Sequence, residues 1–187
     1  GTNGFVINGV NEGEISGGAV STAGDFNNDG FDDLVIGAGG ANIEGAEFAG
    51  TTYILFGNDT FSSNFELNTL DSNNGFTFNG ETESGFVGIS VSAAGDFNSD
   101  GFEDVIIGAP GIEETYLLLG QSSDFTNLTP SALAGSNGMT ITGEADNFGL
   151  SVAGAGDFNG DGFDDLLIAS DQSDSENPSP ADESYVI

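Results

Sequence analysis

The chain has 187 residues, 31 Asp and Glu, and no Lys, Arg, His, Cys or Trp, for a formal charge of −31. With no cation of its own it offers no patch for nucleic acid or an anionic membrane. With no His, Cys or Lys it excludes Ser-His-Asp, Cys-His and Schiff-base chemistry, and zinc sites built on His or thiolate. Carboxylates, hydroxyls, amides and the backbone remain, and these are the ligands of hard cations such as Ca2+.

No apolar run approaches the roughly 20 residues of a membrane helix, so no membrane insertion is expected. The chain starts at Gly1, without an initiating Met or a signal-peptide pattern, which fits a processed or excised chain. Lack of Cys fits a cytosolic protein or a large bacterial secreted one.

In chain order, the first run is Gly4-Phe5-Val6-Ile7, which alternates with period two as a half-buried strand does. It recurs as Gly75-Phe76-Thr77-Phe78 and Gly138-Met139-Thr140-Ile141. The second is the small-residue run Gly17-Gly18-Ala19-Val20, echoed from Gly88 and from Gly149, which suits a crowded strand. An acidic loop follows, led by Asp25, Asp96 and Asp157. Then come continuous apolar runs, Leu34-Val35-Ile36, Val105-Ile106-Ile107 and Leu166-Leu167-Ile168, expected to be covered on both faces. The last are tyrosine runs at Tyr53, Tyr116 and Tyr185.

Loop and strands recur in phase, and no helical period is visible. Four short strands per repeat predict an all-β fold of β-propeller blades. The expected limits are blade one at about 10–79, blade two at about 80–142 and an incomplete blade three at about 143–187. Residues 1–9 form an outer strand of a neighbouring blade. A β-sandwich with a duplicated hairpin is the competing fold.

The loop reads Asp-Phe-Asn-x-Asp-Gly-Phe-[Asp/Glu]-Asp. Oxygen side chains fall at positions 1, 3, 5 and 9, and Gly at 6 permits a sharp turn. The turn directs positions 1, 3 and 5 inward with the carbonyl of position 7, which makes an oxygen cage for Ca2+. Three Ca2+ sites are expected. The first set is Asp25, Asn27, Asp29, the Phe31 carbonyl and Asp33. The second is Asp96, Asn98, Asp100, the Phe102 carbonyl and Asp104. The third is Asp157, Asn159, Asp161, the Phe163 carbonyl and Asp165.

An EF-hand begins alike but needs a bidentate Glu at position 12, where this chain has Ile36, Ile107 and Ile168. Close carboxylates repel one another, and only a bound ion offsets that here. Mg2+ is a poorer fit to so many protein ligands. The position-8 residues, Asp32, Glu103 and Asp164, are expected to face solvent. The Phe residues at 2 and 7 are expected to pack the loop onto its blade.

These residues resemble FG-GAP repeats, the blades of the integrin α-subunit propeller and of bacterial surface proteins. Phe148-Gly149 matches the FG pair and Gly108-Ala109-Pro110 the GAP triplet. The pair becomes Ser16-Gly17 and Val87-Gly88 in the other copies, and the triplet becomes Gly37-Ala38-Gly39 and Ala169-Ser170-Asp171. The resemblance implies a calcium-stabilised propeller at the cell surface, with adhesion or protein binding as its role. Three blades do not close a ring. An N-terminal outer strand closes propellers of this family, so the Gly4–Asn8 strand is expected to complete a blade in another copy or in a further part of the chain. Two copies in a six-bladed ring, many copies in a head-to-tail fibre, and a fragment of a larger integrin-like adhesin all remain open.

The expected role is therefore a calcium-binding structural or adhesive module that self-associates or meets a surface protein or glycan. The alternative is a lectin-like, carbohydrate-binding propeller; with no Trp and only three Tyr, aromatic platforms are few. No carboxylate pair is singled out for glycosidase chemistry, and no enzyme is expected. The uneven segments 39–50 and 171–184 are where partner contacts or simple length drift fall; Asn177-Pro178-Ser179-Pro180 predicts an extended stretch. Uncompensated negative charge favours a saline, calcium-containing, extracellular setting.

Overall fold

A computed structural model describes residues 4–60, 62–123, 125–171 and 183–187. The stretch around Asn177–Pro180 lies outside them. The described residues are all-β. Thirteen short strands run as β1 (Val6–Asn8), β2 (Ala19–Gly24), β3 (Asp33–Ala38), β4 (Thr51–Leu55), β5 (Asn64–Glu66), β6 (Gly75–Asn79), β7 (Ser90–Gly95), β8 (Asp104–Ala109), β9 (Glu114–Leu118), β10 (Gly138–Thr142), β11 (Ser151–Gly156), β12 (Asp165–Ala169) and β13 (Ser184–Val186).

They make three antiparallel meanders and one small parallel pair. The orders are β2-β3-β4-β6, β7-β8-β9-β10 and β11-β12-β13, with β1 beside β5. Ile36 lies opposite Tyr53 on one side and Val20 on the other. Each first strand carries a bulge just before its loop, between Thr22 and Gly24, Ala93 and Gly95, and Gly154 and Gly156. A bulge bends the strand and turns the chain into the acidic loop.

The meanders pack through their faces, β2 beside β7 and β7 beside β11. One core lies between the first and second sheets, built on Phe26, Val35, Ile54, Phe76, Val91, Val105 and Leu118. A second lies between the second and third, with Ile106, Leu117, Phe148, Val152, Leu166 and Ile168. Small first-strand residues let the sheets approach. A Cβ on Gly37 would lie 1.9 Å from the Gly88 carbonyl oxygen, and one on Gly108 the same distance from that of Gly149. The GAP glycine of one unit thus receives the FG glycine of the next.

The middle strand of each sheet is covered in proportion to its neighbours. All of β8 is buried, whereas Leu34 in β3 and Leu167 in β12 are exposed. Val20 is 65% exposed, but the equivalent Val91 and Val152 are 8% exposed because the preceding sheet covers them.

The parallel pair has no signal in the sequence. Ile7 lies opposite Phe65 in β1–β5. The outer strand β6 touches the next unit in the same way, through the parallel bridge between Phe78 and Leu128. So β1 sits against the first unit as β6 sits against the second.

Candidate metal loops

Each loop joins the first and second strands of a sheet, so the three loops emerge at the same edge of successive sheets. Gly30, Gly101 and Gly162 at position 6 hold φ of 94°, 93° and 95°, a region that a Cβ disfavours. That turn folds the loop back on its leading aspartate.

In loop one, Asp25 Oδ1 accepts the Asp29 N–H at 2.9 Å and its Oδ2 accepts the Gly30 N–H at 3.0 Å. Asn27 Oδ1 also accepts the Asp29 N–H, and Asp29 Oδ1 accepts that of Phe31, both at 2.9 Å. Loop two repeats this ladder through Asp96, Asn98 and Asp100. Loop three repeats it through Asp157, Asn159 and Asp161.

Position 9 reaches further. Asp33 Oδ2 accepts the Phe26 N–H at 3.0 Å, and its Oδ1 accepts the Gly57 N–H at 2.7 Å, just beyond β4. Asp104 does the same with Phe97 at 3.0 Å and Gly120 at 2.8 Å. Both carboxylates are fully buried, and Asp165 is nearly so. Burial, against the pull of the two amides, pushes Asp33 up to about 6 and Asp104 up to about 7.

The side chains at positions 1, 3 and 5 are therefore gathered around loop amides, while position 9 is drawn to the strand ends. Among the described residues no group of three or more carboxylates is brought together that could hold an ion. The donor set is nonetheless all oxygen. Fully buried carboxylates stand in a chain with no basic side chain to neutralise them. That chemistry fits a hard divalent cation held by Asp25, Asn27, Asp29, the Phe31 carbonyl and Asp33, and by the equivalent sets in the other loops.

The aromatic residues depart from expectation. Phe26 packs into the core at 2% exposure, but its equivalent Phe158 is 74% exposed, and Phe31 and Phe163 are also exposed. A Phe at these positions is buried only where a neighbouring sheet covers it.

Position 8 is a second correction. Asp32 is exposed, but Glu103 and Asp164 are half-buried at the seams between sheets. Asp164 Oδ2 accepts the Asp96 N–H at 3.0 Å. Burial raises the Glu103 carboxyl, and Asp164, Asp96, Asp32 and Asp25 around it raise it further. The signal in the sequence was the glycine before each leading aspartate, which leaves space for a side chain from the next loop.

The tyrosines are spoken for. Tyr53 and Tyr116 are buried and their hydroxyls donate to Glu14 and Glu114; the half-buried Tyr185 donates to Glu183. None forms an open sugar platform. No described helix is long and apolar enough to cross a membrane.

Repeated antiparallel meanders, two of four strands and one of three, each with an acidic loop at one edge, define a propeller-type repeat protein. The sequence model of the FG-GAP repeat matches residues 16–55, 87–112 and 148–187. The chain belongs to the FG-GAP repeat family. It is 30% identical over 167 residues to integrin alpha-3 of Cricetulus griseus, covering 88% of this chain and 15% of that protein. It is 34% identical over 152 residues to phosphatidylinositol-glycan-specific phospholipase D of Bos taurus, covering 80% of this chain and 18% of that one. Integrin alpha-5 of Xenopus laevis is 30% identical over 156 residues, covering 79% of this chain and 14% of that protein. The chain spans less than a fifth of the length of these relatives.

Proposed function

We propose that the chain is a non-catalytic, calcium-stabilised module of adhesion type that works outside the cell or at its surface. The observation that carries this reading is the threefold oxygen-only loop with a buried carboxylate at position 9, in a chain without a single Lys, Arg or His. Ca2+ supplies the positive charge that no side chain provides. The residues that hold it are those of the three sets above, and its role is architectural. Similarity to integrin alpha chains supports a surface role with a protein or glycan partner.

Thermal unfolding with Ca2+ and with EGTA tests this. At free Ca2+ 100-fold above Kd, each site adds about 2.7 kcal/mol. In a domain of this size that raises the midpoint by roughly 5–10 °C per site. An unchanged midpoint on chelation overturns the calcium reading. Glycan arrays with Ca2+ test the lectin alternative.

Head-to-tail self-association is the second reading. It is favoured by β1, which lies against the first unit as the outer strand β6 lies against the second. The exposed Val20 and Leu34 at one end and Phe158 and Leu167 at the other match residues buried between the internal sheets. Ala169 stands where Gly37 and Gly108 receive the next sheet, so its methyl opposes tight seating. Ala169→Gly is expected to tighten association in light scattering. A stable monomer that keeps its fold without residues 1–9 rules strand exchange out.

A further inference from the structure

The position-8 side chains belong to none of the three ligand sets, yet one of them bonds across to the loop before it and another packs against the loop before it. Asp164, in loop three, holds the main-chain N–H of Asp96, the leading residue of loop two, at 3.0 Å. Gly95 makes room for it: a Cβ there would lie 2.0 Å from Asp164 Oδ2. One seam earlier Glu103 of loop two lies against Gly24 of loop one, where a Cβ would fall 2.5 Å from Glu103 Cγ. At Gly156, the equivalent position in loop three, a Cβ would meet nothing within 4 Å. The glycine before each leading aspartate is thus crowded wherever a following loop is present, and open where none is described.

This bridge has a direction. Asp164 stands between Phe163 and Asp165, two residues of the third ligand set. Ordering loop three therefore orders Asp164. Asp164 in turn fixes the Asp96 backbone, and so aims the Asp96 carboxylate, which accepts from Asp100 at 2.9 Å and Gly101 at 2.9 Å. Hydrogen bonds to an ionised acceptor are about twice as strong as neutral ones. We infer that the position-8 carboxylates are positioning residues that couple neighbouring ion loops, loop three to loop two through Asp164 and loop two to loop one through Glu103. Ca2+ in one loop then raises the affinity of the loop before it, and by linkage the reverse. This rests on the calcium reading above.

The amides of Gly30, Gly101 and Gly162 each donate to the leading aspartate of their own loop. In amide NMR spectra followed through a Ca2+ titration, they report on the three loops separately. Asp164→Ala is expected to weaken the midpoint at Gly101 about three- to tenfold and to move Gly30 less, because loop one is reached only through loop two. Asp164→Asn keeps a neutral oxygen acceptor and recovers about half of that loss. Asp32→Ala removes a position-8 carboxylate that faces no earlier described loop, and so leaves Gly101 and Gly162 unmoved. Hydrogen exchange in chelator gives an ion-free readout: the Asp96 amide exchanges faster in Asp164→Ala and at the wild-type rate in Asp32→Ala.

If Asp164→Ala moves all three midpoints equally, or Gly162 alone, the coupling is overturned. Unchanged exchange at Asp96 overturns it as well. A wild-type protein that responds at all three glycines while Asp164→Ala behaves identically overturns the coupling alone. A wild type that responds at none overturns the calcium reading and the coupling with it.

Discussion

Loops one and two are wired differently from loop three, although all three carry the same motif. In the first two, the carboxylate at position 9 ties the loop to the end of the third strand, through the amides of Gly57 and Gly120. In loop three the residue equivalent to Gly57 and Gly120 is not among the described residues, and Asp165 turns inward. Its Oδ2 accepts the amides of Phe158 at 2.8 Å and Asn159 at 3.2 Å, and its Oδ1 accepts Asn159 Nδ2 at 3.1 Å. The side chain at position 3 follows suit. Asn27 and Asn98 donate to the position-5 carboxylate at 2.9 Å, but Asn159 donates to position 9. The loop's own residues set the ladder at positions 1, 3 and 5, while position 9 takes the amide just past the third strand where that amide is described.

The largest test of this contrast removes position 9. Asp33→Ala or Asp104→Ala strands two amides in a buried site, and an unsatisfied buried group costs about 1–3 kcal/mol. Each variant is expected to lose about 2–4 kcal/mol in urea unfolding with Ca2+ present. Asp165→Ala should lose about 1 kcal/mol less, because its donors Phe158 and Asn159 are open to water. Equal losses in all three would mean that the tie to the third strand adds nothing to the local loop.

A smaller effect separates the ion-free from the ion-bound protein by pH. Burial raises Asp33 to about 6 and Asp104 to about 7, above the 3.9 of an unfolded aspartate. The folded state therefore binds the extra protons. The stability these groups contribute is fully present below about pH 4, and is lost as pH rises through about 6 and 7. In chelator, acidification from pH 8 to 5 is expected to raise the unfolding midpoint. With Ca2+ the slope reverses, because protonation competes with the ion for the same oxygens. Acid also relieves the general repulsion of a −31 chain. The Asp33→Asn, Asp104→Asn double variant keeps that part and is expected to lose the rest. A double variant with the wild-type slope would place the titration elsewhere.

The strands and loops were legible because their signals are local. Glycine and aspartate punctuate period-two and continuous apolar runs, and the same punctuation returns at Asp25, Asp96 and Asp157. What was not legible depends on neighbours distant in sequence. Nothing around Val6 or Asn64 announces that they pair in parallel. Asp164 reads as a solvent residue until the Asp96 amide is brought to it. Phe26 and Phe158 occupy one motif position, yet only the first has a sheet beside it to bury against. The same holds for the ligand sets: the motif supplies the oxygens, but the amides around them decide how each carboxylate turns.

The finest test asks how much of the loop backbone belongs to the residue at position 4. Asn28, Ser99 and Gly160 share that place, with φ of 56°, 57° and 77°. Asparagine tolerates the left-handed region, glycine enters it freely, and serine pays a steric penalty of roughly 1 kcal/mol. Ser99→Gly should therefore stabilise loop two by about 0.5 kcal/mol, once the greater freedom of glycine in the unfolded chain is subtracted. Asn28→Gly should change little. In a domain of this size the gain for Ser99→Gly is roughly 1–2 °C in saturating Ca2+. No gain would mean that the ladder from Asp96 and Asp100 holds the turn whatever residue stands at position 4.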